Sequence, residues 1–212
     1  RPPRATPLYS SAASDVYKRQ ADIKFANIIA ADCEMMGLQP SRDPLCLIQL
    51  YDGVGDCHLI QFIDKNFEAP NLKKLLNSDK TFIFHFARHD LAAIKHDLGV
   101  MIKNVYCTKI SSKIARTYSQ GHGYRDLCKE LLNIDISKKQ QSSDWSNPNL
   151  SKEQINYAAG DVLHLHLIKE KLDEILERQG RADLVNDCIN FLPTRVELDL
   201  QGWNNDIFSH SS

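Results

Sequence analysis

The chain has no long apolar run. Nothing approaches the ~18 consecutive apolar residues that a membrane-spanning helix needs, so the expectation is a soluble protein that crosses no bilayer. Its six cysteines, at 33, 46, 57, 107, 128 and 188, never form a Cys-x-x-Cys pair. That spacing argues against a zinc knuckle, a thioredoxin-like site or a dense disulfide framework, and a reducing cytoplasm suits it best. Internal repeats and low-complexity tracts are also missing. What is there is ordinary for one globular domain: 212 residues, 42% hydrophobic and 25% charged.

The formal net charge of -1 hides an uneven distribution. Between residues 101 and 141, Lys103, Lys109, Lys113, Arg116, Arg125, Lys129, Lys138 and Lys139 face only Asp126, Glu130 and Asp135, eight cations against three acids. A solvated helix face and a phosphate-tracking surface are both open readings of that excess.

Periodicity and turn signals give the outline. Residues 1–20 hold three of the eight prolines and show no convincing period; they read as a disordered leader or a sequence scar outside the fold. Strands are expected at Asn27–Glu34, Leu45–Tyr51, Cys57–Ile63 and Thr81–Phe86, with a brief one near Val105. Helices are expected at Asn71–Asn77, Arg88–Leu98 with Gly99 as the stop, 108–118 and 124–132, the last two separated by Gly121, His122 and Gly123 as a mobile turn. Ser151 and Gln154 stand in capping-box spacing ahead of one long helix running to about Gln179. A final amphipathic segment, Arg181–Leu200, should kink or break near Pro193. Three hairpin strands, then alternating strand and helix, then helices alone, point to an α/β fold: a mixed sheet of about five strands with flanking helices.

The chemistry-bearing stretch is Asn27–Leu38. Residues two apart on a strand share a face, so Asp32 and Glu34 crowd together where the strand ends. Two like charges there call for a counter-ion, and a hard divalent cation such as Mg²⁺ or Mn²⁺ suits carboxylate ligands. Asp90, in the first turn after the fourth strand, can point back over the sheet edge. Tyr157 and Asp161 are four apart, on one helix face. Singly, each has a bland reading as a cap, a dipole partner or a packing residue. His89–Asp90 also invites comparison with histidine-aspartate phosphohydrolases, but the further histidines needed would have to come from unconnected helices. His164 and His166, two apart, share no helix face.

Taken in order, Asp32 and Glu34, then Asp90, then Tyr157 and Asp161, resemble the DEDD exonuclease superfamily in its tyrosine-containing branch. The resemblance is closest to ribonuclease D in its short bacterial form, through Phe84–Asp90, Ser143–Trp145 and Asn156–Asp161, with Leu192–Arg195 and Leu200–Trp203 similar to the end of that form. It implies a ribonuclease H-like fold over residues 21–212, without the helical RNA-binding domains of full-length relatives. It implies two divalent metal ions held by Asp32, Glu34, Asp90 and Asp161, and hydrolysis of single-stranded RNA from the 3′ end to nucleoside 5′-monophosphates. A DNA exonuclease, or a nuclease fold kept as a binding module, are the alternatives. No obligate protein partner is evident. Tyrosine has a pKa of about 10, so Tyr157 is assigned to orienting the attacking water rather than to acting alone as base. The resemblance also offers Leu38 as a wedge between the last two bases and the backbone of Met35 at the terminal ribose, although Leu38 could equally be a core residue. Met35 replaces the commoner Thr, and Phe86 stands where some relatives have Asn. His85 is a substrate-binding candidate or a core histidine; Lys138 and Lys139 track the substrate backbone or lie in a solvated loop.

Overall fold

A computed structural model describes residues 9–10, 24–136, 143–203 and 205–210. The sheet is built from β1 (Tyr9–Ser10), β2 (Ile28–Met35), β3 (Leu45–Tyr51), β4 (Cys57–Gln61), β5 (Thr81–Phe84) and β6 (Val105–Cys107). The helices are α1 (Pro70–Leu76), α2 (Ala87–Ala93), α3 (Thr108–Ala115), α4 (Tyr124–Leu132), α5 (Lys152–Val162), α6 (Leu165–Gln179), α7 (Ala182–Asn190) and α8 (Leu192–Leu200). The spatial strand order is β1-β4-β3-β2-β5-β6. β2, β3 and β4 form the expected antiparallel meander, while β5 and β6 add in parallel beyond β2. The five-strand mixed sheet of the sequence reading is therefore present. One short addition is Tyr9–Ser10, from the segment set outside the fold, which pairs in parallel with Cys57–His58 of β4.

β2 is central, and its pleat divides the interior into two cores. Ile29, Ala31 and Cys33 face one core with Ile48, Leu50, Phe82 and Phe84, covered by α1, α2, α3, α6, α7 and α8. Ala30 faces the other with Leu47, Leu59, Ile83 and Trp145, where Ala158, Ala159 and Val162 of α5 pack. By the same alternation Asp32 and Glu34 belong to the α5 side. β2 and β5 run parallel, so both deliver their C-terminal ends to one edge, a recurrent site position in α/β sheets.

Two expectations need correction. The long helix is two helices: α5 stops at Val162 and α6 starts at Leu165. The cause lies 40 residues earlier. Tyr124 donates its hydroxyl to Gly160 O at 2.8 Å and accepts from His164 N at 3.3 Å. These are the two groups a continuous helix would bond to each other, so the phenol stands in the ladder and opens it. The turn at 121–123 carries a hydrogen bond at each residue. Arg116 donates to Gly121 O at 2.9 Å, His122 Nδ1 lies 2.9 Å from Ser112 Oγ, and Gly123 N donates to Asp126 Oδ2 at 3.0 Å. The helix after β5 also ends differently from expectation: α2 widens into a π-helical turn at Ile94–Leu98 before Gly99, whose φ of 70° suits glycine. Pro193 sits at the start of α8, and the expected break falls just before it, at Phe191. The capping box forms as expected, with Ser151 and Gln154 bonding each other's backbone N–H at 3.1 and 2.9 Å.

Candidate active site

At the C-terminal edge of β2 and β5 lies a cavity of about 430 Å³, lined among others by Asp32, Glu34, Asp90, Tyr157 and Asp161. Carboxylate oxygens of Asp32, Glu34 and Asp161 come within 4.8 Å of one another. Strand alternation supplies the first two, and α5, crossing β2, β3 and β4, lowers the third onto them. Tyr157, one turn before Asp161, is hydrogen-bonded to it, and its ring lies 6.0 Å from that of Trp145. Trp145 is fully buried, and its segment is tied to α5 by Gln154 Nε2 donating to Asp144 O at 3.0 Å. The Ser143–Trp145 motif thus backs Tyr157 rather than entering the site itself.

Asp90 arrives from the opposite face. It is 4% exposed in α2, and both the backbone and the thiol of Cys33 hydrogen-bond to it. It is not in the three-carboxylate group, although its charge is felt there: it is the largest charge raising the Asp32 carboxyl, after burial itself. Every acid in the cluster is shifted the same way. Burial, then Asp161 and Asp90, push Glu34 up to about 9. Burial pushes Asp90 up to about 8 against its hydrogen bonds, and Asp161 up to about 7 against the bond from Tyr157. Burial, with Asp161 and Glu34 next, also raises the Tyr157 phenol. Four partly desolvated carboxylates cannot all ionise without positive charge among them. The donor set is all oxygen, which suits a divalent cation of the Mg²⁺ class.

Gln49 is a site residue that the motif reading missed. It is fully buried in β3 and registers opposite Asp32. Its Nε2 stands 3.4 Å from Asp32 Oδ2 and 3.5 Å from Glu34 Oε1, and its own Oε1 is buried without a partner. The signal was present in the sequence: one amide in the otherwise apolar run Leu45–Leu50.

The remaining candidates divide. Met35 follows a register shift in the β2–β3 ladder and lines the cavity. Leu38 also lines it and is 78% exposed, which removes the reading of a core leucine. Its turn is held closely: a Cβ on Gly37 would lie 2.3 Å from Asp43 Oδ2, and Asp43 in turn accepts from Gln39 N at 3.0 Å. His85 lines the cavity; Lys138 and Lys139 lie outside the described residues. Of the basic stretch, Lys109 and Arg125 reach the cavity. Arg116 does not: it is fully buried and bonded to Glu130, Ser112 and Gly121, a structural cation. Phe86 holds φ 71°, a rare value for a bulky residue, and lies under Lys109 Nζ at 4.3 Å. Arg88 turns away from the site and forms a two-pronged bond with Asp199 of α8 at 2.6 and 2.7 Å. His166 lies elsewhere, against Ile28 O at 3.3 Å, and His164 marks the helix break.

Comparison with known proteins gives one account of this geometry. The chain is 32% identical over 158 residues to ribonuclease D of Gluconacetobacter diazotrophicus, a match covering 74% of this chain and 40% of that relative, so it spans less than half the length of that curated relative. Two solved structures of Brucella melitensis NrnC align over 91% of this chain and 95% of theirs. The one bound to pGG has 48% identity and a TM-score of 0.86, and the one with bound Mg²⁺ has 47% identity and a TM-score of 0.85. The family model described as 3′-5′ exonuclease matches residues 8–177, a span that takes in all four carboxylates, Tyr157 and the sheet that carries them. With the sheet, the acids and the backing tyrosine falling inside one matched unit, the chain belongs to the 3′-5′ exonuclease family.

Proposed function

We infer that this protein is a divalent-metal-dependent 3′-5′ exoribonuclease that hydrolyses single-stranded RNA ends to nucleoside 5′-monophosphates, in RNA maturation or turnover, with residues 21–212 as the exonuclease domain. The observation that carries the reading is the convergence of Asp32, Glu34 and Asp161 within 4.8 Å, beside Tyr157, in an open cavity at the sheet edge. Such a cluster would repel a phosphodiester unless cations intervened. Two divalent ions, Mg²⁺ or Mn²⁺, held by Asp32, Glu34, Asp161 and a re-aimed Asp90 would neutralise both and lower the pKa of the attacking water.

The chain's own residues supply the rest. Tyr157, its phenol pushed above the ordinary tyrosine range, stays protonated near neutrality and orients water by hydrogen bonding. Gln49 donates to both strand acids and keeps their oxygens apart for cation binding. Exposed Leu38 and Phe86 offer apolar surface for bases, and Lys109 and Arg125 offer charge to the backbone. The Brucella protein's binding of pGG supports a site sized for the last nucleotides of a strand.

The test is degradation of a 5′-labelled single-stranded RNA with Mg²⁺, with Mn²⁺ and with chelator, beside the same sequence in DNA and the variant Asp161→Asn. A metal-dependent ladder shortening from the RNA 3′ end, absent in the variant, is the expected result. Faster decay of the DNA strand would move the function to DNA processing.

A further inference from the structure

His85 is the first residue past β5 and lines the cavity with the acids. Its Nδ1 lies 2.9 Å from Thr108 Oγ1, and the Thr108 hydroxyl donates to Phe84 O at 3.2 Å. A hydroxyl has one proton to give. With that proton committed to the Phe84 carbonyl, Thr108 can only accept from the imidazole, so Nδ1 carries the hydrogen and Nε2 keeps its lone pair. The Nδ1 edge is anchored to Thr108, which leaves the Nε2 edge for the cavity. Burial, with Lys109 next and Asp126 opposing, pushes the ring down to about 4. It is therefore neutral across the physiological range, and the cavity is offered an acceptor rather than a cation.

A bound nucleic acid meets different demands around this cavity. Its phosphates carry no donors and suit Lys109 and Arg125. Its bases suit Leu38 and Phe86. The Tyr124 hydroxyl, which also borders the cavity, is already committed to Gly160 and His164. A neutral acceptor beside the scissile end suits a donor on the sugar. At a 3′ end the last sugar carries a 3′-OH in RNA and DNA alike, and the 2′-OH is the sugar donor that RNA alone adds.

We propose that His85 Nε2 accepts a hydrogen bond from a ribose 2′-hydroxyl of the bound strand, making His85 a specificity-determining residue for RNA over DNA, with Thr108 the positioning residue that fixes its tautomer. The assignment rests on the exonuclease reading above and names the contact by which that site would tell the two substrates apart.

The experiment uses the full chain and three readouts. The first is the ratio of kcat/KM on an RNA oligonucleotide to that on DNA of the same sequence, for wild type, His85→Ala and Thr108→Val. The ratio should fall roughly five- to tenfold in both variants, the size of one neutral hydrogen bond. The second is an RNA carrying 2′-deoxy substitutions singly at the last two nucleotides. One of them should slow wild type by a similar factor and have little further effect on His85→Ala. The third is the nitrogen resonances of ¹⁵N-labelled histidine at pH 7, which should show His85 protonated on Nδ1 and bare on Nε2, and should lose that pattern in Thr108→Val. An active wild type whose RNA-to-DNA ratio is untouched by His85→Ala overturns the assignment alone, as does a His85 found protonated on Nε2, the state a phosphate contact would favour. A wild type inert on both strands overturns the exonuclease reading and this assignment with it. Should Thr108→Val fail to fold, the 2′-deoxy series on His85→Ala still decides.

Discussion

Asp161 and Asp90 approach the same cavity from opposite faces of the sheet, and they are held there by different means. Asp161 sits in the last turn of α5, over the smaller core, and the helix behind it is opened by a single phenol, Tyr124, reaching from another element. Asp90 sits in the first turn of α2, over the larger core. It is hydrogen-bonded by Cys33, which faces the same core, and its helix is clamped to α8 by Arg88 and Asp199. Although burial raises it, Asp199 is kept below its ordinary value by the bonds from Arg88 and then Arg195. The acid that joins the three-carboxylate group is thus steered by one hydroxyl that interrupts its helix. The acid that stands apart is steered by long-range packing. A change near Tyr124 should be felt first at the site, and a change near Asp199 first in the stability of the whole fold.

The strongest way to break the comparison is to remove one acid from each arm. Asp161→Asn and Asp90→Asn should each lower turnover on RNA roughly 10³-fold. In the metal-free protein both should raise the melting temperature rather than lower it, because each relieves repulsion among like charges. Calorimetry with chelator present reads that sign. Next in size, Asp199→Ala leaves Arg88 partly buried and unpaired, and should cost about 2 to 3 kcal/mol of stability by denaturant titration. Activity at low denaturant should fall far less than in the acid variants. Tyr124→Phe should cost only about 1 kcal/mol, the lost hydroxyl bonds being partly replaced by reclosure of the Gly160–His164 rung. It should nevertheless weaken Mn²⁺ binding several-fold by titration calorimetry. Unchanged Mn²⁺ affinity would remove the distinction drawn between the two arms.

A pH dependence is shared by both arms. Glu34, Asp90 and Asp161 stand at about 9, 8 and 7 in the folded chain, above the ordinary carboxylate values of 4.5, 3.8 and 3.8. The folded state therefore holds more protons than the unfolded one. Stability of the metal-free protein must fall as pH rises from about 4 through 9, and a divalent cation should restore more of it at pH 8 than at pH 5. Melting curves at the two pH values, with and without Mg²⁺, check the sign.

How much of this could be read before the fold was known depended on distance along the chain. The strands, the capping box at Ser151 and the order of the acids were legible because each is a local pattern of faces and spacings. The break at Leu163–His164 was not, since its cause is a hydroxyl 40 residues away that only tertiary contact brings into the ladder. Gln49 was half legible: a lone amide in an apolar strand says that it is buried with a purpose, but only the register opposite Asp32 says which. Arg116 shows the limit of counting charge, because a cation in a basic stretch turned out to be the buried core of a loop. The Asp90–Cys33 contact was hidden by the same alternation that revealed Asp32 and Glu34, which places position 33 on the far face.

The register shift between Glu34 and Met35 has one more consequence. Glu34 pairs with Leu47 and Met35 with Leu45, so the extra residue is Cys46, and β3 rather than β2 takes up the irregularity. β2 keeps its two-residue alternation through Asp32 and Glu34, which holds both acids on one face. A one-residue change of length is thus already accommodated on the partner strand, whereas the same change within β2 between Asp32 and Glu34 would turn one acid toward the other core.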